Sequence, residues 1–170
     1  MQSLCDRWEF VSDWYDGFAV GEGEGECVRL PHTVKEIPQH YADSQSYQMV
    51  CGYRKKLTLD PTLAGKRLFV QFDGAAHIAT VYLNGKELAT HRCGYTAFRV
   101  DITALLKEQN ELTVIADNSK NDFVYPQKAD FTFYGGIYRT VSLLVVSKDH
   151  IALDHLGGPG VQITPTVQGS

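Results

Sequence analysis

No mostly apolar run in this 170-residue sequence is longer than about six residues, against the roughly 20 that a membrane-spanning helix requires. A membrane partner is therefore not expected. The opening residues Met1-Gln2-Ser3-Leu4-Cys5-Asp6 carry neither a basic n-region nor an apolar h-region. The expected compartment is the cytoplasm, or the periplasm or cell exterior if a signal peptide has been removed. Excess basic charge is also missing. Sixteen Lys and Arg face 20 Asp and Glu, giving a net charge of −4 and a pI near 5.8. Such a chain has no field to neutralise a phosphate backbone, which excludes nucleic acid as the expected partner.

Cysteine is scarce and dispersed. Cys5, Cys27, Cys51 and Cys93 make no C-x-x-C pair, and no histidine stands at zinc-finger spacing. Free thiols in a reducing compartment are expected, with a disulfide of unspecified pairing as the alternative. His32, His40, His77, His91, His150 and His155 are too scattered for a metal cluster and read as loop or edge residues. A G-x-S-x-G elbow is absent, and Ser119, His91 and Asp101 follow no triad order. Gly94 and the Gly135-Gly136 pair lack the pattern and the following helix of a phosphate loop. A convincing long helical period is lacking too.

What the sequence has instead is alternation. Tyr53, Lys55, Leu57 and Leu59 share one face of a segment whose other face carries Arg54, Lys56 and Thr58, predicting a half-exposed strand. Leu68, Val70 and Phe72 share a face of the next, and residues 78–83 are apolar on both faces. Asn84-Gly85 then predicts a type I′ hairpin joining strands 78–83 and 86–91, because both central residues of that turn need positive φ. Asp101 or Thr103 can cap a short helical turn. Leu112, Val114 and Ala116 alternate with Thr113 and Ile115, and a last strand is expected over 137–146. Leu30-Pro31 must be extended and is expected at the surface. The fold class is all-β, an antiparallel sandwich or barrel with at most short helical turns. With 44% hydrophobic residues, a chain of this length can bury one sizeable core. The GEGEGE run at 21–26 reads as a solvated turn, with a cation site at Glu22, Glu24 and Glu26 as the lesser alternative.

Several stretches together resemble the N-terminal domain of glycoside hydrolase family 2: WEF at 8–10, LPHT at 30–33, GYRK at 52–55, FDGA at 72–75, VYLNG at 81–85, HRCGYTAF at 91–98, DIT at 101–103 and DFTFYGGIYR at 130–139. Their order and spacing make the match specific. Two positions depart from the family pattern: Val34, where an aromatic is frequent, and Cys93, where glycine is common. The resemblance implies a jelly-roll β-sandwich over 1–156, called the sugar-binding domain. It implies that 157–170 form a linker, Gly157-Gly158-Pro159-Gly160, and the first strand of an immunoglobulin-like domain. A (β/α)8 barrel carrying two catalytic glutamates would follow, within a homo-oligomeric parent enzyme that hydrolyses terminal β-linked sugars with retention. The GGIYR run at 135–139 looks closest to the β-galactosidase branch.

The same resemblance assigns roles. Asp130 would reach out of the sandwich to hold hydroxyls of the nonreducing sugar, a task suited to a charged acceptor. It is also a candidate alkali-cation ligand in the intact enzyme, where sodium or magnesium are the candidate cofactors; none is expected in this chain. Asn118 and Asn121, on the long irregular stretch 117–136 with Tyr125-Pro126, are candidate sugar contacts or turn formers. Arg139, Tyr134, Gly135 and Gly136 are candidate loop-bracing or interdomain residues. No catalytic residue is expected, since nothing fixes Asp122 and Asp130 at the roughly 5–5.5 Å that a retaining pair requires. The partners expected are carbohydrate and the chain's own downstream domains. Two other readings are an autonomous carbohydrate-binding module, with Trp8, Trp14, Tyr15 and Phe18 as its aromatic platform, and a purely structural buttress.

Overall fold

The structure, a computed structural model, describes residues 1–36, 43, 46–124, 132–153 and 157–168. Ten strands among them form two antiparallel sheets: β1 (Gln2–Ser3), β2 (Trp8–Val11), β3 (Glu26–Val28), β4 (Val50–Thr58), β5 (Arg67–Phe72), β6 (Ile78–Leu83), β7 (Lys86–Arg92), β8 (Phe98–Asp101), β9 (Gln109–Asp117) and β10 (Val141–Val146). One sheet runs β1-β10-β5-β8 and the other β3-β2-β4-β9-β6-β7. No α-helix occurs among the described residues; short 3-10 turns include Asp16–Val20, Pro61–Leu63 and Thr103–Leu105. This is an all-β antiparallel sandwich, one of the two forms expected from the alternation, and it is consistent with the jelly roll that the resemblance implies.

The core forms where the alternating faces meet. Leu68, Val70 and Phe72 of β5, with Val141 and Leu143 of β10, pack in one cluster with Leu112, Val114 and Ala116 of β9 and Ala79, Val81 and Leu83 of β6. Full burial of such side chains stabilises the fold by roughly 1.5–3 kcal/mol each. Trp8 closes the cluster near β2, its indole Nε1 donating to the Leu4 carbonyl at 2.6 Å. Asn84 (φ 53°) and Gly85 (φ 78°) turn β6 into β7, as their chemistry predicts. Asp101 closes β8 and accepts from the Thr103 backbone N–H at 2.9 Å, while the Thr103 hydroxyl accepts from Leu68 N–H.

Five expectations change. β4 is a central strand, and Arg54 on its outer face is 4% exposed. The cover is the turn Asp16–Val20, which places Phe18 under the guanidinium at 4.2 Å, and the loop after it. There the 21–26 run is more than a solvated turn. Its Glu22 and Gly23 carbonyls accept from Arg54 at 3.0 and 2.7 Å, although the glutamate side chains stay in solvent. β6 is buried on one face only; its outer face pairs Thr80 with Thr90 and stacks Tyr82 on Trp14. Leu30 is buried, its N–H donating to the Cys5 carbonyl at 2.8 Å, whereas Pro31 is exposed as expected, so only the leucine of LPHT turns into the core. Finally, β10 begins at Val141 and not at 137, because residues 136–140 bond to loops on both sides: Ala76 N–H to Gly136 O, His32 N–H to Ile137 O and Asp73 N–H to Thr140 O.

Candidate functional site

β9 ends in the six-stranded sheet at Asp117 and β10 begins in the four-stranded one at Val141. Its return segment is set by two glycines. A Cβ on Gly135 would stand 2.5 Å from the Asn118 amide carbon. Gly136 has φ +99°, and a Cβ there would meet Tyr53 Oη at 2.4 Å and the His32 carbonyl at 3.0 Å. The pair therefore lets the backbone lie directly on Asn118 and Tyr53. Val34 N–H closes the strip by donating to Gly135 O at 3.1 Å. Tyr53 in turn bonds His32 Nδ1 at 2.9 Å, and burial raises the phenol's pKa and lowers that of His32.

Asn118 is 1% exposed and its amide is fully engaged. Oδ1 accepts from Met49 N–H at 2.9 Å, and Nδ2 donates to the Tyr47 and Phe133 carbonyls at 2.9 and 3.3 Å. With every group of its head taken, it is a brace between three segments, which corrects its assignment as a sugar contact. Asn121 is a turn former. Its Oδ1 accepts from the N–H groups of Phe123 and Val124, both at 3.0 Å, and its Nδ2 donates to Ser119 O at 3.2 Å. Asp130 lies outside the described residues, as do Tyr125, Pro126, His40 and His155.

Arg139 ties together the loops at Asp73 and Tyr95. Its Nη1 donates to the Tyr95 and Asp73 carbonyls at 3.0 and 3.3 Å, with the guanidinium 5.2 Å from the Tyr138 ring. Tyr138 Oη donates to the Gly94 carbonyl. Tyr134 is 38% exposed at the rim. Between these walls lies a cleft of about 110 Å³, lined by Ala76, His77, Tyr95, Phe133, Tyr134 and Tyr138 with Thr132. His77 went unnoticed as a site residue: a lone histidine at a strand edge carries no sequence signal. It is 1% exposed, its Nδ1 has no partner, and burial lowers its pKa against the pull of Asp117. An unpaired buried polar atom of this kind costs about 1–3 kcal/mol.

Among the described residues no group of three His, Cys, Asp or Glu side chains converges as a metal cluster would. The four thiols are free. Partial burial works to raise the Cys93 pKa, but hydrogen bonds to Thr96 and Tyr95 outweigh it and bring the thiol below its usual value. Cys51 is pushed up to about 12 by burial. In the native chain, exposed Cys27 and half-buried Cys93 are expected to react with a colorimetric disulfide reagent within minutes at neutral pH. Buried Cys5 and Cys51 should react only after denaturant is added. Four fast thiols would contradict this packing.

Of the aromatics proposed as a sugar platform, Trp8 and Phe18 are fully buried, and Trp14 meets Phe18 edge-on and stacks on Tyr82. Tyr15 is exposed. Phe18 lies under Arg54 and Trp8 belongs to the core cluster, so neither is available as a sugar platform.

The family model for glycosyl hydrolases family 2, sugar binding domain, matches residues 28–147. A β-glucuronidase of Bacteroides fragilis is 40% identical over 149 residues, covering 86% of this chain, and a β-galactosidase of Thermoanaerobacter pseudethanolicus is 35% identical over 148 residues, covering 84%. A calcium binding mutant of Bacteroides uniformis β-glucuronidase 2 superposes with a TM-score of 0.85 at 34% identity over 94% of the chain and 19% of its own. The chain spans about a fifth of the length of these relatives, 21% and 20% of the two curated ones. Because both enzyme names recur, GGIYR does not by itself separate the branches. The matched stretch runs from the end of β3 past the end of β10 and takes in Asn118, the paired glycines, Arg139 and the cleft, so the chain belongs to glycoside hydrolase family 2, as its sugar binding domain.

Proposed function

We propose that this chain is the non-catalytic N-terminal part of a retaining β-glycosidase that cleaves a terminal β-linked sugar, of the β-galactoside class, with the catalytic glutamates on a downstream barrel. The carrying observation is the fixed return segment 132–140. Two glycines, Asn118 and Arg139 hold it at one end of the sandwich, where it immediately follows Asp130 in the chain. A loop so firmly anchored at its base suits the placing of a carboxylate against a substrate outside the domain. On this reading Asp130 accepts hydrogen bonds from sugar hydroxyls, and residues 157–170 lead into an immunoglobulin-like domain. The β-glucuronide class is the second reading, favoured by the 40% identity to an enzyme of that name.

Asp130→Ala in the intact parent enzyme is expected to lower kcat/KM for an aryl β-galactoside about 10- to 100-fold, the worth of one hydrogen bond to a charged group. The 170-residue chain alone should show no turnover. An unchanged kcat/KM would reduce the domain to a buttress, and turnover by the pure chain would place the catalytic carboxyls within it. Running the aryl β-glucuronide in parallel decides between the two classes.

A further inference from the structure

We propose that the outer face of the six-stranded sheet around Trp14, Tyr15, Val20 and Tyr82 docks a basic segment of a protein partner, whose lysine or arginine side chains lie on these rings. This goes beyond the glycosidase reading and does not depend on it. Gly52 of β4 makes the floor of the patch. A Cβ there would stand 3.0 Å from Trp14 Cε3, so the indole rests directly on the strand. Tyr82 of β6 runs nearly parallel to it, with 21° between planes and 6.4 Å between centroids. Both rings keep part of their surface in solvent, and Tyr15, next in the chain, is 41% exposed. Val20 is 64% exposed and borders the β6–β7 turn, its Cγ1 lying 3.2 Å from where a Cβ on Gly85 would stand. Large apolar side chains left in solvent together mark an interaction site.

The charge around the patch selects its occupant. Residues 8–28 hold six acids, Glu9, Asp13, Asp16, Glu22, Glu24 and Glu26, and no Lys or Arg. The rest of the chain sets the other 14 of the 20 acids against all 16 bases, so the net charge of −4 arises from this stretch alone. Arg54 pairs with Glu9 and is otherwise taken up by backbone carbonyls, while the remaining five carboxylates are exposed. Acids also stand at the rings themselves. Trp14 Nε1 donates to Asp16 Oδ1 at 3.2 Å, and partial burial together with the charges of Glu87 and Asp16 raises the Tyr82 pKa. The Thr90 hydroxyl holds Glu87 from β7 at 3.2 Å. Aromatic faces beside carboxylates attract ammonium and guanidinium heads. Among the described residues no three such acids converge as a metal ion would require. Acids spread along a surface match the spaced cations of a peptide and steer it in.

The probe is an acetylated hexa-arginine amide, titrated into the 170-residue chain at low salt and followed by tryptophan fluorescence. The chain has two tryptophans and Trp8 is fully buried, so the signal belongs to Trp14. Saturable binding to one site per chain is expected. Tyr82→Thr, which keeps a strand former, should weaken it about fivefold, at the scale of a lost cation–π contact. Asp16→Asn combined with Glu87→Gln, both at exposed positions, should weaken it by about the same factor. Unchanged affinity in that double variant, or in Tyr82→Thr, would overturn the proposal. So would a loss seen only when Glu22, Glu24 and Glu26 are changed to Gln, which would reduce the effect to a polycation meeting a polyanion. Saturation of the Trp14 signal by calcium chloride or by methyl β-D-galactopyranoside, with no response to the peptide, would reassign the face to a metal or a sugar. A chain that dimerises through Tyr82 in ultracentrifugation would reassign it to a second copy. Calorimetry on the intact parent enzyme should return the same affinity for the peptide, and no binding there would mean that another domain covers the rings.

Discussion

Gly136→Ala is expected to destabilise the chain by about 3–5 kcal/mol, among the largest effects of any single methyl group added to it. Two costs combine. At φ +99° an L-residue is strained, and the new Cβ would stand 2.4 Å from Tyr53 Oη and 3.0 Å from the His32 carbonyl. Neither neighbour can withdraw easily, because Tyr53 is fully buried and bonded to His32 Nδ1. Gly65→Ala is the control. It has a similar φ of +77° but no atom within 4 Å of the added Cβ, so it carries the backbone strain without the collision and should cost about 1–2 kcal/mol. Urea unfolding of both variants separates the two costs, and equal losses would show that the approach to Tyr53 is unimportant.

Arg54→Ala is expected to cost about 3 kcal/mol at neutral pH. Its guanidinium donates to Glu9 and to the Phe18, Glu22 and Gly23 carbonyls and lies 3.8 Å from Glu111. Removal leaves two carboxylates without their cation. The lower end of the usual range for a broken buried pair applies, because the Glu9 and Glu111 side chains retain 32% and 22% of their exposure. The pH dependence has a definite sign. Burial holds the Glu111 pKa above its ordinary value while Arg54 pulls it down. Without Arg54 the folded-state pKa rises further. A raised folded pKa contributes stability that is whole below the unfolded value, about 4.3 for Glu, and is lost as pH climbs through the folded one. The deficit of the variant should therefore be widest near pH 7 and narrow towards pH 4. A gap in urea midpoint that stays constant from pH 4 to 8 would mean that the carboxylates play no part.

These two sites also show what the sequence could and could not announce. Asn84-Gly85 was legible because a type I′ turn is decided by the two residues that make it. The β5 and β9 faces were legible because burial of one face leaves a period of two in the chain itself. Arg54 was misread as half-exposed for the opposite reason. Its cover comes from Phe18, Glu22 and Gly23, and no local pattern around position 54 records a neighbour more than thirty residues away. Asn118 was misread in the same way, since its partners at 47, 49 and 133 are brought to it only by the closed sandwich. The bracing role of Arg139 and of the paired glycines was readable as a role, but their contacts were not. His77 had no signal at all, because an orphaned nitrogen exists only once the walls around it do.

The segment 157–160, which by composition looked like a free tether, is gripped. Arg99 Nη1 donates to the Leu153 and Gly158 carbonyls at 3.1 and 2.6 Å, while its Nε holds Gln71 of β5 at 2.7 Å. Gly157 passes so close to Ala97 that a Cβ would stand 2.3 Å from its carbonyl oxygen. The chain thus departs from the sandwich with its heading already set. Arg99 acts as a mooring post, tying the backbone at Leu153 and Gly158 to the edge strand β8 and, through Gln71, to β5.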